Sequence, residues 1–224
     1  MRTSIYDKAS NLYNEGQFKK SYRKFKDGHL KNDFYCFLGM LKCLLLGHGV
    51  TENKEAVISS IKQYEIELIN RYERKEIEAT YYLAFFLDKK IIVNDNYDVL
   101  SLVKNLARKK HKIALLFLGN CYCYGKYIDK DVDKAKIYYK KSLENGCLIA
   151  AANLGNIYYL DSQYKKAFSC YSLLKNSEII DALEGLSKCY SHGYGIQKNL
   201  ELALYYSKKI KTVNPKLYWR ILTK

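Results

Sequence analysis

The sequence predicts an all-α solenoid, about six helix-turn-helix units in one array across residues 1–224, closed by a short C-terminal capping helix. Three observations predict it. An apolar residue, a small one and, three places later, an aromatic or Leu recur, most clearly as Leu118-Gly119-Tyr122, Leu154-Gly155-Tyr158 and Leu186-Ser187-Tyr190. With weaker copies included, the anchors stand at 9, 41, 84, 119, 155 and 187, at intervals of 32, 43, 35, 36 and 32 residues, which suit a two-helix unit. After each anchor comes a break, then a segment with apolar residues at helical spacing, such as Ala135, Tyr138, Tyr139 and Leu143.

In chain order, the first unit (3–32) has Ala9 and Leu12, a break at Gly16, then "FKKSYRKF". The second (33–72) has Met40-Leu41-Leu44, a break at Gly47 and Gly49, and "KEAVISSIKQY", which the acidic stretch "QYEIELINRYERKEIEA" extends into a long helix. The third (76–110) has Leu83-Ala84-Leu87, then Asn94 before "YDVLSLVKNLA"; it departs most from the pattern, with Lys90 in the place of a loop glycine. The fourth (111–146) breaks at Gly125 before "VDKAKIYYKKSL", the fifth (147–177) at Asp161 before "YKKAFSCYSLL", and the sixth (178–211) at Gly193 and Gly195 before "LELALYYSKKI". Beyond Pro215, "KLYWRILTK" offers Leu217, Trp219, Ile221 and Leu222 as a cap over 214–224.

A lone helix of about 12 residues is marginal in water, so each pair must bury its stripe against the next. A glycine inside a helix costs about 1 kcal/mol relative to Ala. Repeating it at Gly119 and Gly155 makes sense where a neighbouring helix packs closely.

These residues resemble Sel-one-like repeats, relatives of tetratricopeptide repeats with a longer, glycine-containing loop between the helices. The resemblance lies in the stretches from Ala114 to Gly146 and from Ala182 to Lys209, and in Gly47-His48-Gly49-Val50 and Gly193-Tyr194-Gly195-Ile196 as G-x-G-V loops. The units around Gly16 and Asp161 keep the shorter tetratricopeptide spacing. The resemblance implies a right-handed superhelix, a non-enzymatic protein-interaction role as an adaptor or an immunity-type protein, and a concave ligand face formed by the first helix of each pair.

Composition bounds the chemistry. With 38 Lys+Arg against 23 Asp+Glu, the net charge is +15, which draws acidic partners. Seven cysteines without a CxxC pair read as reduced core thiols, and "MRTSIYDKASNLYNEGQFKK" has no signal-peptide core, so a cytoplasmic location is expected. The most apolar window, "FYCFLGMLKCLLLGHGV", is interrupted by Lys42 and too short to span a bilayer, so no membrane span is expected. His29, His48, His111 and His192 lie in different units without metal-ligand spacing, and no Walker sequence or dinucleotide loop is present. We therefore expect no catalytic residues, metal or cofactor.

Carried over through the resemblance, the inward positions three before, one after and four after each anchor nominate Tyr6, Ser10 and Tyr13; Leu38, Lys42 and Leu45; Tyr81, Phe85 and Asp88; Leu116, Asn120 and Cys123; Ala152, Asn156 and Tyr159; Glu184, Lys188 and Ser191. Of these, Tyr6, Ser10, Tyr13, Lys42, Tyr81, Phe85, Asp88, Asn120, Asn156, Tyr159, Glu184 and Lys188 are the expected partner-binding residues. Their mixture of aromatics, amides and both charge signs suits an interface. Asn120 and Asn153 are placed like the asparagines of a tetratricopeptide carboxylate clamp, but Leu116, Asp181 and Gly185 stand where its basic groups belong, so no clamp is expected. The expected partner is a protein, an acidic one or a secreted toxin being candidates. The alternative is nucleic acid held by basic runs such as Lys104–Lys112.

Overall fold

The computed structural model describes residues 4–213, which form twelve α-helices in six consecutive pairs. They are α1 (Ile5–Asn14) and α2 (Phe18–His29), α3 (Phe34–Leu46) and α4 (Lys54–Glu73), α5 (Ile77–Asp88) and α6 (Val99–Arg108), α7 (Lys112–Tyr124) and α8 (Val132–Glu144), α9 (Ile149–Leu160) and α10 (Tyr164–Ser172), and α11 (Ile180–His192) and α12 (Leu200–Val213). The capping helix expected over 214–224 lies outside the described residues. The third pair forms although Lys90 replaces the loop glycine; Lys90 itself takes the left-handed backbone, with φ of 53°. The acidic stretch after Gln63 is helical through Glu73, which makes α4 a 20-residue helix.

Local chemistry sets the helix starts. The Ser4 hydroxyl and the Asp7 carboxylate form a reciprocal capping box on α1. Asp33, Asn53, Asp98 and Asp131 accept from backbone N–H groups in the first turns of α3, α4, α6 and α8 at 2.8–2.9 Å. Gly47, Gly125 and Gly193 end α3, α7 and α11 in the left-handed conformation.

Helix pairs close on aromatic rings. The Tyr139 ring of α8 lies where a Cβ on Gly119 would come within 2.5 Å, and the Tyr171 ring of α10 fills the same place at Gly155 and at Gly185 of the next unit. Each tyrosine then ties itself to the opposite helix, Tyr139 donating to Asn120 Oδ1 at 2.8 Å and Tyr171 to Asn156 Oδ1 at 2.7 Å. The anchor glycines make room for a ring whose hydroxyl reaches an amide one residue further on. The seven cysteines are free thiols, five of them buried.

The second glycine of each G-x-G loop seats one unit on the last. A Cβ on Gly49 would lie 2.5 Å from the Phe18 carbonyl, and one on Gly195 2.3 Å from the Tyr164 carbonyl, so these loops rest on the first turn of the preceding unit's second helix, backbone against backbone. Gly195→Ala should therefore lower the unfolding free energy by about 2 kcal/mol or more in urea titration. Gly146→Ala, also at positive φ but with open space around it, should cost only about 1–2 kcal/mol.

Candidate partner-binding cleft

The array curls until its ends meet. The Gly16 carbonyl, between α1 and α2, accepts from the Glu178 N–H at 2.8 Å, just before α11. The Glu178 carboxylate accepts from the Lys19 N–H at 3.1 Å. Gln17 makes no side-chain cap on α2, so a carboxylate 159 residues away does that work. Lys112 Nζ, at the start of α7, reaches Asn11 Oδ1 of α1 at 3.2 Å. This closure turns the concave face into a cleft of about 1120 Å³ walled by residues from α1, α3, α5, α7, α9 and the start of α11, joined by the first turn of α2, the loop after α3, Val103 and Leu106 of α6 and Val213 of α12.

Half of the expected partner-binding residues line this cleft: Tyr13, Lys42, Tyr81, Phe85, Asp88 and Asn120, together with Leu116. The others lie outside its lining. Tyr6 is buried and its hydroxyl donates to Glu78. Ser10 is half-buried on α1, and Asn156 accepts from Tyr171. Tyr159 packs edge-on to Tyr164 and Tyr194. Glu184 and Lys188 face each other at 3.8 Å along α11. Leu38, Leu45 and Ala152 are core, while Cys123 and Ser191 are half-buried away from the cleft. The cleft also takes in Phe18, His48, Ile113, Phe117, Glu178 and Asp181. Ile113 and Phe117 precede the nominated Leu116 and Asn120 by about one turn of α7, so a wider arc of that helix would have included them. Glu178 enters because the first unit meets the sixth, whereas Phe18 enters by packing on Tyr13 and stacking on His48 of the next unit's loop.

The floor is polar and almost dry. Lys42 is 4% exposed; its ammonium donates to the Tyr81 hydroxyl at 3.0 Å and lies 3.4 Å from the centroid of the Tyr13 ring. Burial pushes its pKa down to about 8. The Tyr13 hydroxyl meets His48 Nδ1 at 2.7 Å, and His48 stacks on Phe18 at 4.1 Å. Burial first, and the charge of Lys42 second, push His48 down to about 4, so its ring is neutral at pH 7. Burial opposes ionisation of Asp88, but Lys126 at 2.6 Å, Lys89 at 3.0 Å and Tyr127 at 3.0 Å outweigh it and hold its pKa below the usual value. Asn120 Oδ1 accepts from Tyr139 and from Asn153, which leaves its amide nitrogen as the group able to donate to a ligand.

A family model of the Sel1 repeat matches residues 33–56, which are α3 and the start of α4, and residues 112–147 and 180–210, the fourth and sixth pairs; the first helices of all three end on a left-handed glycine. The chain carries Sel1 repeats within an α-solenoid. Among solved structures, the Sel1 repeat protein of Oxalobacter formigenes superposes with a TM-score of 0.59 at 20% identity, covering 91% of this chain and 82% of that one. The c5321 protein of uropathogenic Escherichia coli, a protective antigen with an SLR fold, gives 0.58 at 18% identity over 93% and 46%. A curated relative, the ERAD-associated E3 ubiquitin-protein ligase component HRD3 of Candida glabrata, is 32% identical over 84 residues, 38% of this chain. The chain spans about a tenth of that relative's length. Sel1 repeats are typically non-catalytic scaffolds for protein–protein interaction. Among the described residues, no helix is long and apolar enough to cross a membrane.

Proposed function

We propose that this Sel1-repeat chain is an adaptor or immunity-type module that grips an extended segment of one protein partner in its closed concave cleft. The observation that carries this reading is the lining itself. The half-buried apolar side chains of Phe85, Ile113 and Phe117 stand beside the amide of Asn120, an apolar wall with a backbone-directed donor. The same lining holds Lys19, Lys42 and Lys89 against Glu52, Asp88, Glu178 and Asp181. Three cations against four carboxylates do not make a phosphate track, so the excess of +15 sits elsewhere and the concave face favours a polypeptide over a nucleic acid. A secreted toxin is one partner of this kind, met in the cytoplasm.

The test is affinity capture with the tagged chain after nuclease treatment and a wash at about 0.5 M salt, where surface charge is screened within a few Å. The expected result is one dominant protein, weakened at least tenfold, about 1.4 kcal/mol, by Phe85→Ala or Phe117→Ala and unaffected by Lys140→Ala on an exposed surface. Recovery of nucleic acid with no retained protein would sink the reading.

A further inference from the structure

An ammonium group taken out of water normally sits against a carboxylate, because the cost of desolvating it is otherwise uncompensated. Lys42 departs from this. It is 4% exposed and lines the cleft, yet no carboxylate of the described residues forms an ion pair with it. Its contacts are the Tyr81 hydroxyl and the faces of the Tyr13 and Tyr81 rings. The carboxylate whose field reaches it, Glu78, accepts from the Tyr6 hydroxyl and faces His111 Nε2 at 4.0 Å. His48 cannot serve as an anion, and Asp88 is held by Lys89, Lys126 and Tyr127. The charge on Lys42 is therefore left for something that enters the cleft.

We propose that Lys42 receives the carboxylate of an aspartate or glutamate side chain on the bound partner segment. This rests on the cleft being the partner site, and it adds the chemistry that the site selects. Access favours a side chain over a bulky anion, since Tyr13 and Tyr81 flank the ammonium and leave only a narrow approach to it. Polarity favours a single carboxylate. The lining elsewhere sets Glu52, Asp88, Glu178 and Asp181 against Lys19 and Lys89, an acidic balance that repels further acidic groups, while Ile113 and Phe117 suit apolar neighbours on either side of the acidic residue. With the ammonium paired, the Tyr81 hydroxyl that now accepts from Lys42 remains within reach of the same anion as a donor.

The test uses the full chain and butyrate, a carboxylate on a short methylene stem, with butanol as its uncharged counterpart, followed by amide NMR at pH 7 and constant ionic strength. Saturable shifts at Tyr81 and His48 with butyrate, at least tenfold weaker in Lys42→Met and absent with butanol, are the expected result. Should Lys42→Met not fold cooperatively, the wild-type chain provides the second measurement: butyrate affinity falls between pH 7 and 9.5 as the amine loses its proton. Butyrate binding that survives Lys42→Met, or that is unchanged at pH 9.5, overturns the assignment. Inorganic phosphate binding more tightly than butyrate at the same residues also overturns it. A captured partner that is lost from Phe117→Ala but keeps its affinity for Lys42→Met refutes the role of Lys42 while leaving the cleft as the binding site.

Discussion

Gly16→Val should lower the unfolding free energy by about 3–5 kcal/mol, because it combines a left-handed backbone with the loss of ring closure. Gly16 has φ of 72°, and a Cβ there would lie 2.7 Å from Ile179 Cδ1 and 2.9 Å from Ser177 Cβ. A β-branched side chain cannot fit without pushing the 177–179 segment away. That displacement breaks the bond from the Glu178 N–H to the Gly16 carbonyl and removes the carboxylate that caps α2. Ile179, 8% exposed, loses its seat as well. Urea titration measures the loss, and hydrogen exchange at Glu178 should rise more than at the buried centre of α7. Glu178→Ala deletes only the cap and should cost about 1 kcal/mol. If both variants unfold at the wild-type urea midpoint, the contact between the array's ends contributes nothing in solution and the cleft is open.

Acid should destabilise the protein between pH 6.5 and 4, before most carboxylates titrate. His48 and His111 are both pushed down to about 4, His48 by burial and then Lys42, His111 by burial, then Lys112, then Lys42. In the unfolded chain each takes up a proton near pH 6.5, whereas the folded protein refuses it until about pH 4. Through that window the unfolded state holds more protons, so stability is full above pH 6.5 and is lost as the pH falls. The gap corresponds to about 3 kcal/mol for each histidine, a large part of the roughly 5–15 kcal/mol that holds a typical domain. Unfolding midpoints measured from pH 7.5 to 4 should show this slope, and His48→Gln with His111→Asn should flatten it. Asparagine keeps an acceptor where His111 Nδ1 caps α7 through the Ala114 N–H at 3.3 Å. An unchanged slope in the double variant would place the acid sensitivity elsewhere.

Much of the architecture was legible from residue order because its determinants are local. The anchors at Gly119 and Gly155 and the loop glycines act within one unit or on its immediate neighbour, and repetition made them visible, whereas the caps at Asp33, Asn53 and Asp131 emerged only with the structure. The inference of close helix packing at the anchor glycines also followed from sequence, since a helix tolerates such a cost for little else. The tyrosine rings that fill those places, and their bonds to Asn120 and Asn156, are set by the packing of one helix on the next.

The site divides along the same line. Sequence placed Tyr13, Lys42, Tyr81, Phe85, Asp88 and Asn120 on first helices facing inward, and these share the cleft. It equally nominated Asn156, Tyr159, Glu184 and Lys188, which are on first helices too but outside the cleft lining. What separates the two groups is the curvature accumulated over successive units, which brings the turn at Gly16 onto Glu178 and encloses some concave positions while leaving others beyond the closure. Small rotations between neighbouring units add up over the array, and no local residue pattern encodes their sum. The sequence by itself therefore determined the repeat, its helices and the inward-facing stripe, whereas only the tertiary structure decided that the stripe closes into a cleft and that Lys42 lies at its floor without a counter-ion.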